Sequence, residues 1–271
     1  MAIKDKWKES LYYQSFKGIF WHPKDSLYII LFDVLFFAVA YYVYLLFRNV
    51  VPNELTGFSS LNASGIIFGT LAYFAVLLFL YSAFKYVVLG FLKNITLMQN
   101  RDTENRNNFT IRKFLDFALL NLALFSGMIF GYLFINIFLG NFIAYDYLGI
   151  AALAVLVPFG IFAYMSLNFA HGFFGRDLKI KDILKRTFSG DVLKRAFFAF
   201  ISMIILFAFY LGVFYIIAII LTQAGTNGRT AAIILSIFTN MAYYLIHFYN
   251  RFYTYLSVNK IFASSESKDF E

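Results

Sequence analysis

Cysteine is absent from this 271-residue chain, and charged residues make up only 14% of it. Without cysteine the protein forms no disulfide, uses no thiol in catalysis and holds no metal through thiolates. The sequence also lacks the His-Glu-x-x-His zinc motif, the P-loop, the dinucleotide-binding glycine fingerprint and the Gly-x-Ser-x-Gly nucleophile elbow. With only 15 acidic residues, few carboxylates remain for acid–base chemistry, so we predict no cofactor.

Apolar residues take the place of the missing charge: 61% of the chain is hydrophobic and the mean hydropathy is +0.70. Soluble domains average about 25% charged and about 45–50% apolar residues. The excess lies in six blocks, at residues 27–47, 65–92, 114–139, 147–174, 197–221 and 230–258. About 20 apolar residues span the hydrocarbon core as a helix, which satisfies its own backbone hydrogen bonds. We therefore predict an all-α, polytopic membrane bundle of six transmembrane helices in a single membrane domain, 1–271.

Lysine and arginine predict the orientation of these spans. Five precede the first span, five lie between the second and third, and seven lie between the fourth and fifth. The other three connections hold one, none and one. Because basic loops stay in the cytoplasm, we expect both termini on the cytoplasmic side of the cell membrane. The net charge of +8 is thereby explained without a nucleic-acid partner.

The most basic connection contains an amphipathic segment at residues 177–188, with Ile180, Ile183, Leu184 and Phe188 on one helical face. This pattern predicts a helix lying on the membrane surface. The basic residues assigned to this surface are Lys179, Lys181, Lys185, Arg186, Lys194 and Arg195. Expected partners are anionic lipid headgroups on the cytoplasmic face, with a protein partner at the cytoplasmic loops as a further hypothesis. Residues 7–21 form a weaker version, and the polar residues 101–108 predict a solvated loop.

A threefold repeat is a further prediction. The second span of each pair reads tyrosine, three residues, a polar residue and an aromatic one, beginning at Tyr81, Tyr164 and Tyr243. The predicted repeat units are 1–93, 94–175 and 176–260, followed by a short polar cytoplasmic tail, 261–271. Chance similarity competes with this interpretation, because tyrosine (20) and phenylalanine (37) are abundant. A true repeat would place the three units in parallel around an axis along the membrane normal.

Asp33 and Lys85 are the charged pair that the spans themselves contain at comparable depth. Both are expected roughly 10 Å inside the cytoplasmic boundary, given about 1.5 Å of helix rise per residue. An isolated charge at that depth costs several kcal/mol, and pairing removes much of this cost. An ion or proton site is one interpretation. A structural pair, or a lysine that reaches toward the headgroups, is the other.

Uncharged polar residues are expected at a similar depth. They are Asn121, Asn168, His171, Ser202 and His247. Together with Asp33 and Lys85 they predict an intramembrane polar layer open to the cytoplasm. The competing interpretation is interhelical packing through hydrogen bonds, at about 0.6–2 kcal/mol each. Two histidines without cysteine or paired carboxylates are a poor metal site, so no metal is predicted.

Small residues and proline add local predictions. Gly65 and Gly127 each begin a Gly-x-x-x-Gly pattern, the spacing at which transmembrane helices pack closely. Pro158 is expected to bend the fourth span because it removes one backbone hydrogen bond.

Three functions remain. The first is a transporter or permease for a small solute or lipid that uses a cytoplasm-facing polar cavity. The second is a non-catalytic scaffold or accessory subunit that docks partners through its basic amphipathic helices. The third, a lipid-modifying membrane enzyme, ranks last because no catalytic pattern is present.

Overall fold

A computed structural model of the chain describes residues 10–48, 60–100, 110–143 and 145–266. Within these ranges all regular structure is helical. In chain order the helices are α1 (Leu11–Trp21), α2 (Pro23–Phe47), α3 (Ser60–Asn100), α4 (Ile111–Phe142), α5 (Tyr145–Phe174), α6 (Ile180–Thr187), α7 (Gly190–Gln223) and α8 (Gly228–Glu266). The all-α fold class is therefore confirmed.

Six of these helices, α2, α3, α4, α5, α7 and α8, are long and apolar enough to cross a membrane. Their spanning segments are Pro23–Phe47, Ile67–Ile95, Ile111–Phe142, Tyr147–Phe174, Gly190–Gln223 and Gly228–Phe262. The six predicted blocks are thus confirmed, and the chain is a multi-pass integral membrane protein. Several helices extend beyond the predicted apolar block, since a helix continues through polar flanking residues as long as its backbone bonds are made.

Two helices, α1 and α6, are too short to span. The predicted amphipathic helix at 177–188 is shorter in the structure, Ile180–Thr187. Asp177 has a φ of 59°, the left-handed conformation, which cannot continue a right-handed helix. In the N-terminal segment, α1 begins at Leu11, while Trp7 and the predicted loop at 101–108 lie outside the described residues.

The chain divides into two compact units. Unit I consists of Met1–Trp21 and Val157–Glu271, and unit II of His22–Leu156. Helix α5 passes from unit II into unit I directly before Pro158, which lies inside the helix. The threefold repeat and its boundaries at 93 and 175 stay a prediction.

Unit II is built around α3, which packs against α2 on one side and α4 on the other. Aromatic rings fill both contacts: Phe32 lies edge-on to Phe84 across the α2–α3 contact, and Tyr81 lies edge-on to Phe125 across the α3–α4 contact. Helix α4 begins after Thr110, whose side chain accepts a hydrogen bond from the backbone N–H of Lys113, a typical N-cap.

In unit I, α8 lies in the interior. Residues 248–258 of this helix are all buried, and α1 and α7 both pack against α8. Helix α5 approaches α8 closely at Gly172, where a Cβ atom would lie 2.9 Å from Cγ2 of Val258. Glycine is therefore required at this crossing. By contrast, a Cβ at Gly65 or Gly127 would meet nothing within 4 Å, so these two predicted packing glycines make no close helix contact in the described part of the chain.

Candidate functional site

The Asp33 carboxylate and the Lys85 ammonium form an ion pair between α2 and α3. Lys85 Nζ lies 3.0 Å from Asp33 Oδ1, and the side chains are only 13% and 3% exposed, respectively. The meeting of these two residues, predicted from their depth, is confirmed. Removing one partner of such a buried pair leaves an uncompensated charge, which is strongly destabilising.

A second polar contact lies one helical turn away, between α3 and α4. Asn121 Nδ2 donates to Ser82 Oγ over 3.0 Å, and Ser82 Oγ donates in turn to the Leu78 carbonyl. Asn121 and Ser82 are both fully buried. Lys85 and Ser82 are three residues apart on α3; Lys85 contacts α2 and Ser82 contacts α4. Sequence reasoning missed Ser82, although it directly follows Tyr81 in the proposed repeat motif.

A cavity of about 730 Å³ lies between α2, α3 and α4 within unit II. Most of its lining is apolar: Phe36 from α2, Leu78 from α3 and Phe125 from α4 are among the wall residues, and Ser126 is the one wall residue with a small hydroxyl. Tyr81 also lines the cavity, and Lys85 Nζ lies 5.8 Å from the centre of its ring. The cavity thus adjoins the ion pair, since Phe36 lies three residues beyond Asp33 and Tyr81 four before Lys85.

Unit I holds a separate polar cluster, formed by α5 and α8. The Tyr164 hydroxyl is hydrogen-bonded to Nδ1 of His247 and accepts from Asn250 Nδ2 over 3.2 Å. Which of the two groups donates in the Tyr164–His247 hydrogen bond depends on the tautomer of the imidazole.

Asn250 is the buried end of this cluster. Its Nδ2 also lies 3.6 Å from Met165 Sδ, while its Oδ1 is buried without a hydrogen-bond partner among the described residues. An unsatisfied buried acceptor costs about 1–3 kcal/mol, so Asn250 is a polar residue held at a cost to stability. Sequence reasoning did not select Asn250, since the surrounding span is polar and aromatic throughout.

The remaining predicted layer residues use their hydrogen bonds locally. Asn168 Nδ2 donates to the Tyr164 carbonyl of its own helix, and Ser202 Oγ donates to the Ala199 carbonyl. His171 is buried near the end of α5. The structure thus brings Asp33 to Lys85 and Asn121 to Ser82 in unit II, and His247 to Tyr164 in unit I. The three aligned repeat positions, Lys85, Asn168 and His247, have different partners.

The basic residues predicted for the membrane surface fall into two groups. Lys179, Lys181, Lys185 and Lys194 are exposed. Arg186 and Arg195 are half-buried, and the Arg186 guanidinium lies 5.1 Å from the ring centre of Phe262, which holds α6 near the end of α8. A further cation, Arg251, is almost fully buried in α8 and was not predicted.

Within residues 10–48, 60–100, 110–143 and 145–266, no group of three or more histidine, cysteine or acidic side chains is placed to hold a metal ion. Comparison of the chain with protein-family models, with curated proteins and with solved structures gives no match.

Proposed function

We propose that the protein is a permease-like carrier for a small amphiphilic or lipid-like solute, which it binds in the cavity of unit II. The observation that supports this proposal is the position of the apolar cavity beside the buried ion pair. A volume of about 730 Å³ falls within the roughly 300–1,000 Å³ of ligand sites, which combine apolar walls with a few polar groups.

The chemistry of the cavity selects the class of solute. An apolar body would pack against Phe36, Leu78 and Phe125, while a polar head would exchange hydrogen bonds with the nearby Asp33–Lys85 pair. A hydrophilic ion would find almost no ligand in such walls. The proposed solute is therefore more apolar than the polar cavity expected from the sequence would accept.

The route of entry follows from exposure. Leu71, Phe74 and Ile129 line the cavity and are each more than half exposed. In a bilayer these side chains face the lipid, so a solute dissolved in the membrane would reach the cavity from the side.

We further propose that the basic segments hold both termini in the cytoplasm of the producing cell. A reporter enzyme fused after Glu271 tests this orientation. Reporter activity only inside the cell supports it, and activity only outside the cell contradicts it.

Two alanines of α2 allow a matched test of the cavity. Ala40 lines it, whereas Ala38, two residues earlier, is exposed and does not. We expect Ala40→Trp to fill the cavity and Ala38→Trp to leave it open. Photo-crosslinking of the purified full chain with a diazirine-bearing fatty acid should fall at least fivefold in the first variant and remain unchanged in the second.

Transport itself needs a separate measurement. A fluorescent lysophospholipid is placed in both leaflets of proteoliposomes, and external dithionite quenches the molecules in the outer leaflet. Further quenching then reports movement of the lipid from the inner leaflet to the outer one. We expect the chain to accelerate this movement over protein-free vesicles, and Ala40→Trp to abolish the acceleration. Equal rates of lysophospholipid movement with and without protein would remove the carrier hypothesis while leaving a binding role.

A second function, a scaffold or accessory subunit, is favoured by α6. This helix buries Ile183 and exposes Lys181 and Lys185, a basic surface suited to an acidic partner. Replacement of both lysines by glutamate distinguishes the two functions. A carrier keeps its crosslinking to the fatty acid, whereas a scaffold loses the proteins that co-purify with the wild-type chain from its native membrane.

A further inference from the structure

A second cavity, of about 480 Å³, lies within unit I, between the start of α1, the start of α7 and the end of α8. Three basic side chains converge on it: Lys194 and Arg195 from α7 and Lys260 from α8. Lys260 is distant in sequence from the other two and was not predicted as part of any site. The fold therefore assembles a cluster of cations that no single segment of the sequence displays.

The charge of this cavity favours an anion. Asp191 is the carboxylate among its lining residues, so the three basic side chains leave a net charge of +2. Arginine offers a planar fork of donors that matches two oxygens of a phosphate, and lysine adds mobile point charges. Asp191 opposes the anion, and the cavity thereby favours a singly charged phosphodiester over a more highly charged free phosphate.

The position of the cavity relates it to the membrane surface. Lys194 and Arg195 immediately precede the apolar run of α7, which begins at Ala196, and Lys260 follows the buried stretch 248–258 of α8. The cations thus lie at the end of two spans, where headgroups lie. Phe198, part of the same cavity wall, is 44% exposed and belongs to the apolar run. A ligand with its phosphate on the cations would place an acyl chain beside Phe198.

Aromatic residues connect the helices around the cavity. Tyr12 of α1 stacks on Tyr253 of α8, with ring centres 5.2 Å apart, and its hydroxyl donates to the Phe198 carbonyl of α7. The Tyr249 hydroxyl donates to the Tyr12 carbonyl. These contacts join the three helices that form the cavity. A ligand that bridges Lys194, Arg195 and Lys260 would further stabilise unit I.

We infer that this cavity binds the phosphodiester headgroup of an anionic membrane lipid, with the Lys194, Arg195 and Lys260 side chains on the phosphate and Phe198 beside an acyl chain. Basic pockets between transmembrane helices are a recognised type of site for anionic headgroups. The site lies in unit I and does not depend on the carrier function proposed for unit II. Diffuse attraction of anionic lipid by surface lysines would need no cavity. A bound lipid would depend on the three cavity cations, whereas diffuse attraction would depend equally on any exposed lysine.

The test uses the full chain in nanodiscs of phosphatidylcholine with increasing phosphatidylglycerol, and it measures the midpoint of thermal unfolding. The variant Lys194→Gln/Arg195→Gln/Lys260→Gln removes the cavity cations. The control Lys179→Gln/Lys181→Gln/Lys185→Gln removes the same charge from α6 and the residue before it, outside the cavity. We expect phosphatidylglycerol to raise the unfolding midpoint of the wild type and the control. The cavity variant should need at least a tenfold larger fraction of this lipid to reach half of the full increase.

Folding of the variants is checked in phosphatidylcholine alone, where all three proteins should unfold at the same temperature. If the triple cavity variant is unstable there, Lys260→Gln replaces it, since Lys260 is exposed at the end of α8. Equal losses in the cavity and control variants would overturn the site in favour of diffuse attraction. Stabilisation in phosphatidylcholine by 10 mM inorganic phosphate, equal to that by phosphatidylglycerol, would overturn the lipid as the source of the phosphate.

Discussion

Asp33 and Lys85 come from different helices and meet with 3.0 Å between carboxylate oxygen and ammonium nitrogen. Each side chain is almost completely removed from the surface of unit II, so neither can exchange its partner for water. The structural and functional interpretations of the pair make different demands. A purely structural pair needs only charge neutrality, whereas a solute site also needs the adjoining cavity, and both features are present here.

The first prediction concerns this pair. Lys85→Met leaves a buried carboxylate without its cation and should destabilise the protein by about 3–5 kcal/mol. The double variant Asp33→Asn/Lys85→Met removes both charges and should be more stable than the single one. The measurement is thermal unfolding in detergent micelles, with Lys24→Met, at an exposed lysine of α2, as the control. Additive losses would show that the two residues do not interact.

Asn121 provides the second prediction. Asn121→Leu removes the donor to Ser82 and should cost about 0.6–2 kcal/mol, the range for hydrogen bonds between transmembrane helices. Asn136→Leu is the matched control, because Asn136 lies on the same helix, is exposed, and bonds only its own helix at the Tyr132 carbonyl. Unfolding midpoints in micelles decide the outcome. Equal effects of the two substitutions would mean that the α3–α4 hydrogen bond contributes nothing to stability.

The spans and the ion pair could be predicted from the sequence because they depend on quantities that the sequence carries directly. Helix length against bilayer thickness gave six spans, and depth along consecutive helices placed Asp33 opposite Lys85. The threefold repeat could not be used in this way, since similarity between sequence segments does not determine which residues their side chains contact. Lys85, Asn168 and His247 occupy aligned positions, yet one pairs with aspartate, one with its own backbone and one with tyrosine.

What the sequence could not give depends on helix rotation and on distant segments. Tyr164 and His247 are 83 residues apart, and their contact requires a particular face of α8 to meet α5. Likewise, Lys260 joins Lys194 and Arg195 only after the end of α8 has been placed beside the start of α7. The glycine patterns show the same limit, because Gly65 and Gly127 have the expected spacing without the contact, and Gly172 has the contact without the pattern.

Gly172 supplies the third prediction. The Cβ atom of Gly172→Ala would lie 2.9 Å from Val258 Cγ2, a methyl group whose rotamer is fixed in a helix. We expect a loss of about 1–3 kcal/mol from overpacking, measured by thermal unfolding in micelles. Gly127→Ala is the control, since its Cβ meets nothing within 4 Å and alanine favours the helix by about 1 kcal/mol.

Rescue distinguishes overpacking at Gly172 from a general effect on α5. Val258→Ala removes the methyl group that the new Cβ would approach, so the double variant Gly172→Ala/Val258→Ala should unfold at a higher temperature than Gly172→Ala. A double variant less stable than both single variants would mean that Val258 is not the obstructing residue.

The fourth prediction concerns the Tyr164 hydroxyl. Tyr164→Phe removes the acceptor used by Asn250 and the bond to His247 Nδ1, and Asn250 already has an unpaired Oδ1. The substitution should therefore cost about 1–3 kcal/mol, the penalty for a buried polar group without its partner. Tyr243→Phe is the same chemical change at a residue that is 72% exposed, and it should cost less than half as much.

A spectroscopic measurement separates the lost hydrogen bond from a mere change in packing. In protein labelled with ¹⁵N-histidine, the Nδ1 resonance of His247 reports its hydrogen bond with the Tyr164 hydroxyl. Tyr164→Phe should move this resonance toward that of an unbonded imidazole nitrogen, while Tyr243→Phe leaves it in place. An unchanged resonance in Tyr164→Phe, even with lower stability, would show that the tyrosine acts through packing alone, because loss of the hydrogen bond at Nδ1 would have shifted the signal.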